Sequence, residues 1–141
     1  MVGGTDKETS VLLADAELPA PGQQLKMYVI DWELSHITST AFDLGQILGD
    51  LFETRHYKDI EATEWLIEAF MEGYGPVKDN VAFKTAIQVG VHLIGLGSRS
   101  AKGTPEQRDS ALRIGGDFVA SGWKKDRAFF DRTVLKCLFR E

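Results

Sequence analysis

The spacing of apolar residues changes once along the chain. Residues 10–14 and 25–30 are short apolar runs of strand-forming residues, and a proline-containing loop separates them. This pattern predicts a β-hairpin over residues 10–30. We expect residues 1–9, which are polar and rich in glycine, to be loose.

From residue 39 to residue 139 the apolar positions recur every three or four residues, as they do along helices that bury one face. About five helices are predicted: Thr40 to about Phe52, Asp59 to Gly73, Asp79 to about Leu96, Thr104 to Gly122, and Lys125 to about Phe139. The predicted fold class is mainly α, of the α+β kind, with a short N-terminal hairpin followed by these helices in a single domain of residues 1–141.

Two helical segments carry more specific signals. Thr104 can cap the fourth helix, because Pro105 follows at the first helical position and Gln107 stands at the capping-box position. The second helix has an apolar stripe at helical spacing. The predicted stripe consists of Ala62, Trp65, Leu66, Ala69 and Phe70.

Size and charge exclude several classes. A chain of 141 residues with a net charge of −5 and no basic stripe is not expected to bind nucleic acid or an anionic membrane. The most apolar segment, 81–96, contains Lys84, Gln88 and His92 and falls short of a membrane span. A single cysteine, Cys137, and the lack of a visible secretory signal predict a cytoplasmic protein.

One segment carries a pattern of acidic residues. The second apolar run leads into Ile30-Asp31-Trp32-Glu33, and Asp43 follows twelve positions after Asp31 within an Asp-Leu-Gly triplet. This pattern resembles the C-terminal lobe of the aminoglycoside and choline phosphotransferases, which have a protein-kinase-like fold. The resemblance implies that Asp31 occupies the position of the Mg²⁺-binding aspartate, Glu33 that of the acid after it, and Asp43 that of an aspartate that braces the loop structurally.

The first half of the family pattern is altered in this sequence. Aligning Ser10–Leu13 with the Asn-Val-Leu-Leu of the family places Gly3–Thr5 at the His-Gly-Asp positions. Thr5 then replaces the aspartate that positions the acceptor hydroxyl, and Ser10 replaces the metal-binding asparagine. The sequence also has no counterpart of the N-terminal lobe with its phosphate-contacting lysine. The resemblance therefore suggests a shortened C-terminal lobe that has lost its ATP chemistry.

The acidic pair suggests another chemistry. Asp31 and Glu33 can face the same side of an extended segment, and His36 follows closely. Two neighbouring carboxylates can separate their pKa values, which suits acid–base catalysis, although both residues can instead be inherited scaffolding. Without the asparagine we predict no metal site. We predict that Asp31, Glu33 and His36 catalyse a cyclisation, isomerisation or addition on a small organic metabolite, without a cofactor.

Aromatic residues can supply the walls of a pocket for that metabolite. The predicted substrate-binding residues are Trp32, Trp65, Phe70, Tyr74, Phe83 and His92. Each also has a simpler interpretation, because aromatic residues at helical spacing usually pack in the core. A lone histidine on an apolar helix is usually a hydrogen-bonded core residue.

Two further functions stay open. The chain can be a pseudokinase-like binding or regulatory module without turnover, or a fragment of an ATP-dependent small-molecule phosphotransferase that uses Mg-ATP. A kinase-like C-terminal lobe without its N-terminal lobe exposes the surface that formed the active cleft, and self-association is one way to cover such a surface. We therefore expect a homodimer.

Overall fold

The computed structural model of the chain describes residues 11–13, 27–29, 37–60, 62–97 and 103–140, with side chains from residue 37 onward. The chain divides into two compact units, Met1–Ile37 and Thr38–Glu141. The regular elements are strands β1 (Val11–Leu13) and β2 (Met27–Val29), helices α1 (Thr40–Lys58), α2 (Ala62–Tyr74), α3 (Asp79–Gly95), α4 (Pro105–Lys124) and α5 (Arg127–Phe130), and a 3₁₀ helix (Val134–Phe139). The single domain over residues 1–141 stays a prediction.

The first unit contributes little regular structure among its described residues. β1 and β2 pair antiparallel over three residues each, with Leu12 opposite Tyr28. The predicted α+β class is wrong, because the structure describes, within the predicted hairpin of residues 10–30, only the pairing of the three-residue strands β1 and β2. Extended pairing in the described part of the chain is confined to these two short segments, and the described residues from 38 to 140 form only helices, turns and loops. The mainly α part of the prediction is confirmed.

Helix α3 lies at the centre of the second unit and packs on both α1 and α4. It crosses α4 where two glycines meet. A Cβ atom on Gly90 would lie 2.6 Å from the carbonyl oxygen of Gly115, and a Cβ atom on Gly115 would lie 2.8 Å from that of Gly90. A carbon atom cannot approach an oxygen so closely, so the absence of side chains at both positions allows the two backbones to touch.

The predicted boundaries of α3 and the predicted beginning of α4 agree with the structure, whereas α4 continues past the predicted end at Gly122 to Lys124. α3 begins at Asp79 and ends at Gly95, and the capping box of α4 is present. The backbone N–H of Gln107 donates to the hydroxyl of Thr104 over 3.2 Å, and the backbone N–H of Thr104 donates to the side chain of Gln107 over 3.0 Å. None of the described helices is both long and apolar enough to cross a membrane.

The predicted boundary between the first two helices is wrong. α1 continues to Lys58, well beyond the predicted end at Phe52. Asp59 was expected to begin the next helix, but it ends α1 in the left-handed conformation with φ 51°. An aspartate tolerates that conformation better than most residues, because its short polar side chain can bond locally.

The buried face of α2 differs from the predicted stripe. Thr63, Ile67 and Met71 are buried, whereas Trp65 and Leu66 are exposed. Thr63 can be buried because its hydroxyl donates to a backbone carbonyl, that of Ile60, over 2.7 Å. The side of α2 that faces the core is therefore not the side that carries Trp65 and Leu66.

The last segment is not the predicted helix of residues 125–139. Lys125 takes a left-handed conformation with φ 55° and ends α4, and only the single turn α5 and the 3₁₀ helix follow. The side chains of Asp126 and Thr133 accept hydrogen bonds from backbone N–H groups two or three residues later. Such local bonds compete with continued helix and divide the segment into short turns.

Candidate functional site

The predicted catalytic residues Asp31, Glu33 and His36 lie outside the described residues, and so does Trp32. Their chemical roles stay predictions. The described side chains begin at residue 37, shortly before the start of α1.

Asp43 is the described member of the acidic pattern. It lies exposed in the first turn of α1, and the N-cap residue Ser39 makes no side-chain capping bond. The carboxylate of Asp43 therefore lies where the first backbone N–H groups of the helix carry partial positive charge, a favourable position for an anion. This placement suits a structural role at the beginning of α1.

The predicted aromatic residues lie in different surroundings. Phe70 and Tyr74 stack on α2 with ring centroids 6.2 Å apart, and Tyr74 is half exposed. Phe83 is buried in the core, with its ring centroid 4.8 Å from that of Phe139. Trp65 is 69% exposed. The structure thus joins Phe70 to Tyr74, while Phe83 serves core packing; substrate binding by these residues stays a prediction.

Trp65 and several charged residues line a pair of adjoining grooves. One has a volume of about 400 Å³ and an aromatic floor that includes Phe52, Phe118 and Phe129. The other has a volume of about 560 Å³ and includes Trp65. Glu64 lines both grooves and forms an ion pair with Arg55. Both grooves are open to solvent, and their surfaces offer apolar and charged contacts.

His92 lies where α3 crosses α1, and its side chain is only 3% exposed. Its Nε2 atom lies 3.0 Å from Oε2 of Glu53 and 3.4 Å from Oδ1 of Asp50. Its Nδ1 atom lies 3.4 Å from the side-chain amide nitrogen of Gln46. Both ring nitrogens therefore face polar groups of α1, as expected for a buried imidazole.

A glycine makes room for this imidazole. A Cβ atom on Gly49 would lie 2.6 Å from Cγ of His92, so any side chain there would displace the ring. We call the five residues that meet here the polar crossing: Gln46, Gly49, Asp50, Glu53 and His92. The histidine was predicted as a pocket residue or a hydrogen-bonded core residue, and the structure shows it buried and hydrogen-bonded.

The α1 residues of the polar crossing were not among the predicted site residues. Gln46, Asp50 and Glu53 are spaced by four and three residues, which places them on one face of a helix. Gly49 lies on the same turn, where an absent side chain permits a close approach. These signals are present in the sequence, but nothing in the spacing indicates that the face meets His92.

A second polar junction joins the end of α1 to the segment after α3 and to the beginning of α4. The hydroxyl of Tyr57 donates to the carbonyl oxygen of Gly97 over 2.6 Å, and a ring nitrogen of His56 lies 2.8 Å from the carbonyl oxygen of Gln107. Burial raises the pKa of the Tyr57 hydroxyl, and the nearby Glu53 carboxylate raises it further. The tyrosine is therefore held as a neutral hydrogen-bond donor.

Cys137 lies in the 3₁₀ helix and is buried. Burial raises the pKa of its thiol, which keeps the sulfur protonated at neutral pH. The thiol lies 3.4 Å from the carbonyl oxygen of Val134. This environment favours a packing role over a nucleophilic one.

Comparison with curated proteins relates the chain to kinase-like phosphotransferases. One relative is phosphotransferase FrzJ of Cladobotryum sp., which is 33% identical over 118 residues, or 83% of this chain. Others are 4-hydroxytryptamine kinases. The one from Psilocybe cubensis is 24% identical over 89% of the chain, and the one from Psilocybe cyanescens is 25% identical over 64%.

The chain spans about a third of the length of these curated relatives: 31% of FrzJ, 35% of the P. cubensis kinase and 26% of the P. cyanescens kinase. No protein-family model and no solved structure matches the chain. The predicted relationship to phosphotransferases is confirmed, whereas its assignment to the C-terminal lobe stays a prediction.

Proposed function

We propose that the chain is the C-terminal-lobe part of an ATP-dependent small-molecule phosphotransferase. The similarity to phosphotransferase FrzJ over 83% of the chain carries this proposal. The spacing of Asp31 and Asp43 supports it, because it resembles the acidic pattern of kinase-like phosphotransferases. The related 4-hydroxytryptamine kinases suggest the acceptor class, a small amine with a hydroxyl group on an aromatic ring.

The reaction would transfer the γ-phosphoryl group of ATP to the acceptor hydroxyl. The hydroxyl oxygen forms a bond to phosphorus, the bond from phosphorus to the bridging oxygen of ADP breaks, and the hydroxyl proton leaves to a base or to water. Mg²⁺, when bound, neutralises charge on the phosphates. The carboxylate of Asp31 would hold the metal, and Asp43 would fix the beginning of α1. Thr5 has no basic group, so proton removal would fall to another group or to water.

Acid–base catalysis without ATP is the second candidate. It is favoured by the residues at the two altered positions, Thr5 and Ser10, which lack the side chains that phosphoryl transfer uses in the family. In this case Asp31, Glu33 and His36 would act directly on an organic metabolite. A binding module without turnover would use the same residues only as scaffold.

The test is an assay of the chain together with the N-terminal lobe that the proposal requires, with Mg-ATP and 4-hydroxytryptamine, followed by other amines that carry a hydroxyl group on an aromatic ring. The products are the phosphorylated acceptor and ADP, both measured by mass spectrometry. Asp31→Asn is expected to lower the rate by about 10²–10³-fold, the usual effect of losing one group that stabilises the transition state. Asp109→Asn, on the exposed surface of α4, removes the same charge and serves as the control.

Other results would favour the alternatives. Consumption of an acceptor without ATP, lost in Glu33→Gln, would support acid–base catalysis. Ligand binding without turnover would support a binding module. Binding of Mg-ATP is measured separately by thermal shift. A ligand at 100 times its Kd stabilises a protein by about 2.7 kcal/mol, which corresponds to roughly 5–11 °C in Tm for a chain of this size.

A further inference from the structure

We propose that Asp50, Glu53 and His92 form a binding site for Zn²⁺ that bridges α1 and α3. The proposal uses no residue of the Asp31 segment and does not depend on the phosphotransferase activity. It rests on the geometry of three side chains that come from two helices and converge on one point.

The distances between the ligand atoms fit a tetrahedral metal ion. A Zn²⁺ ion with bonds of about 2.0–2.1 Å separates its ligand atoms by about 3.3–3.4 Å. Nε2 of His92 lies 3.0 Å from the carboxylate of Glu53 and 3.4 Å from that of Asp50, and the three ligand atoms lie within 4.8 Å of one another. The side chain of Asp50 is 63% exposed and therefore has room to rotate toward the other two ligands.

The buried histidine distinguishes this site from an ordinary cluster of surface carboxylates. Its ring is buried and fixed in direction, because Gly49 leaves it space and Gln46 faces the opposite nitrogen. Metal-binding histidines usually have such a partner on their second nitrogen. Nε2 therefore points toward both carboxylates before any metal arrives.

Binding requires one change in the imidazole. Nε2 loses its proton when it bonds to the metal, and a neutral ring can carry that proton on Nδ1 instead. The side-chain oxygen of Gln46 can accept a hydrogen bond from Nδ1–H if the amide turns over. The proton thus stays in the site, and no other group has to take it up.

The donor set selects the kind of metal. One imidazole nitrogen and two carboxylates suit Zn²⁺ and related transition metals better than Mg²⁺ or Ca²⁺, which prefer oxygen ligands only. Two carboxylates also balance the charge of a divalent ion. Three protein ligands leave a fourth position for water, which can enter beside the exposed Asp50.

The test is titration of the EDTA-treated, desalted chain with Zn²⁺ in a calorimeter, together with the visible absorption of Co²⁺ as a probe of tetrahedral geometry. We expect one ion per chain, a tetrahedral Co²⁺ spectrum, and a Tm raised by roughly 5 °C or more at 100 times the Kd. Mg²⁺ at the same concentration should not displace Zn²⁺.

Variants separate this site from adventitious binding. Asp50→Asn should weaken Zn²⁺ binding by about tenfold or more, and its exposed position makes misfolding a minor concern. His92→Gln should remove the Co²⁺ spectrum. His56→Gln, which removes a histidine outside the site, should leave binding unchanged. Absence of one-to-one binding, or equal Zn²⁺ affinity in the Asp50→Asn variant and the parent chain, would overturn the proposal whatever the outcome for phosphotransfer.

Discussion

Two regions of the helical unit are held together by different kinds of interaction, one by apolar packing and the other by directional polar contacts. Around the C-terminal segment, five phenylalanines form an aromatic cluster: Phe83, Phe118, Phe129, Phe130 and Phe139. The ring centroids of the contacting pairs are separated by 4.8 to 6.2 Å. At the polar crossing, α1 and α3 meet through an imidazole, two carboxylates, an amide and a glycine.

The comparison shows what each kind of contact demands from the sequence. Apolar burial is non-directional, so many aromatic or aliphatic residues can fill a core at a similar free energy. A buried polar contact depends on one partner at one distance, and its loss leaves a desolvated group behind. The aromatic cluster should therefore dominate the stability of the unit, and the polar crossing should determine how α1 and α3 fit together.

The largest expected effect is in the aromatic cluster. Phe130 is fully buried, so Phe130→Ala should lower the free energy of unfolding by about 3–5 kcal/mol. Trp123→Ala is the control, because Trp123 is 83% exposed and its removal should change the stability by less than about 0.5 kcal/mol. Urea denaturation measures both. Equal losses in the two variants would show that the cluster is not the main source of stability.

The second effect tests the directional nature of the polar crossing. His92→Leu keeps the ring volume approximately but leaves the largely buried Glu53 carboxylate without its imidazole, which should cost about 1–3 kcal/mol. The double variant His92→Leu/Glu53→Leu should recover part of this loss, since replacing both partners removes the unpaired group. The measurement is urea denaturation in buffer with EDTA. Strictly additive losses would show that the two residues do not interact.

Sequence reasoning succeeded where the signals are local. The beginning of α4 follows from Thr104, Pro105 and Gln107, three residues within one turn. The extent of α3 follows from its apolar residues. Because this helix is buried on most sides, its length can be predicted without deciding which side faces the core. Both features could be predicted because the residues that determine them are neighbours in the chain.

Sequence reasoning failed where burial or long-range contact decides. Trp65 and Leu66 indicate an apolar face of α2, yet Thr63 is buried instead, with its hydroxyl bonded to a backbone carbonyl. His92 and Glu53 lie 39 residues apart in sequence, and no helical periodicity can pair residues across that distance. The partners of the polar crossing could therefore be placed on helix faces but not matched to each other.

The third effect isolates a polar contact that is local. Thr104→Ala removes the capping hydroxyl of α4 and should cost about 1 kcal/mol, less than the loss at the polar crossing. Thr104→Ser keeps the hydroxyl and should retain nearly all of the stability. Thermal and urea unfolding of the two variants provide the comparison. A Ser variant as unstable as the Ala variant would indicate that the methyl group, not the capping bond, matters.

The smallest effect concerns pH and the polar junction at Tyr57. Burial and the nearby Glu53 carboxylate raise the pKa of Tyr57 above its ordinary value of 10.0, so the folded chain holds this proton more tightly than the unfolded chain. The resulting stabilisation is fully present below the unfolded pKa and is lost as the pH rises through the folded pKa. Stability should therefore decline above about pH 10, because the ionised ring cannot donate to Gly97 and carries a charge near Glu53.

Tyr57→Phe should lower stability at neutral pH by about 0.5–1.5 kcal/mol, the usual net value of one hydrogen bond, and should flatten the alkaline decline. Urea midpoints measured between about pH 8 and pH 11 test both statements, and an alkaline decline of the same steepness in Tyr57→Phe would assign the effect to other groups.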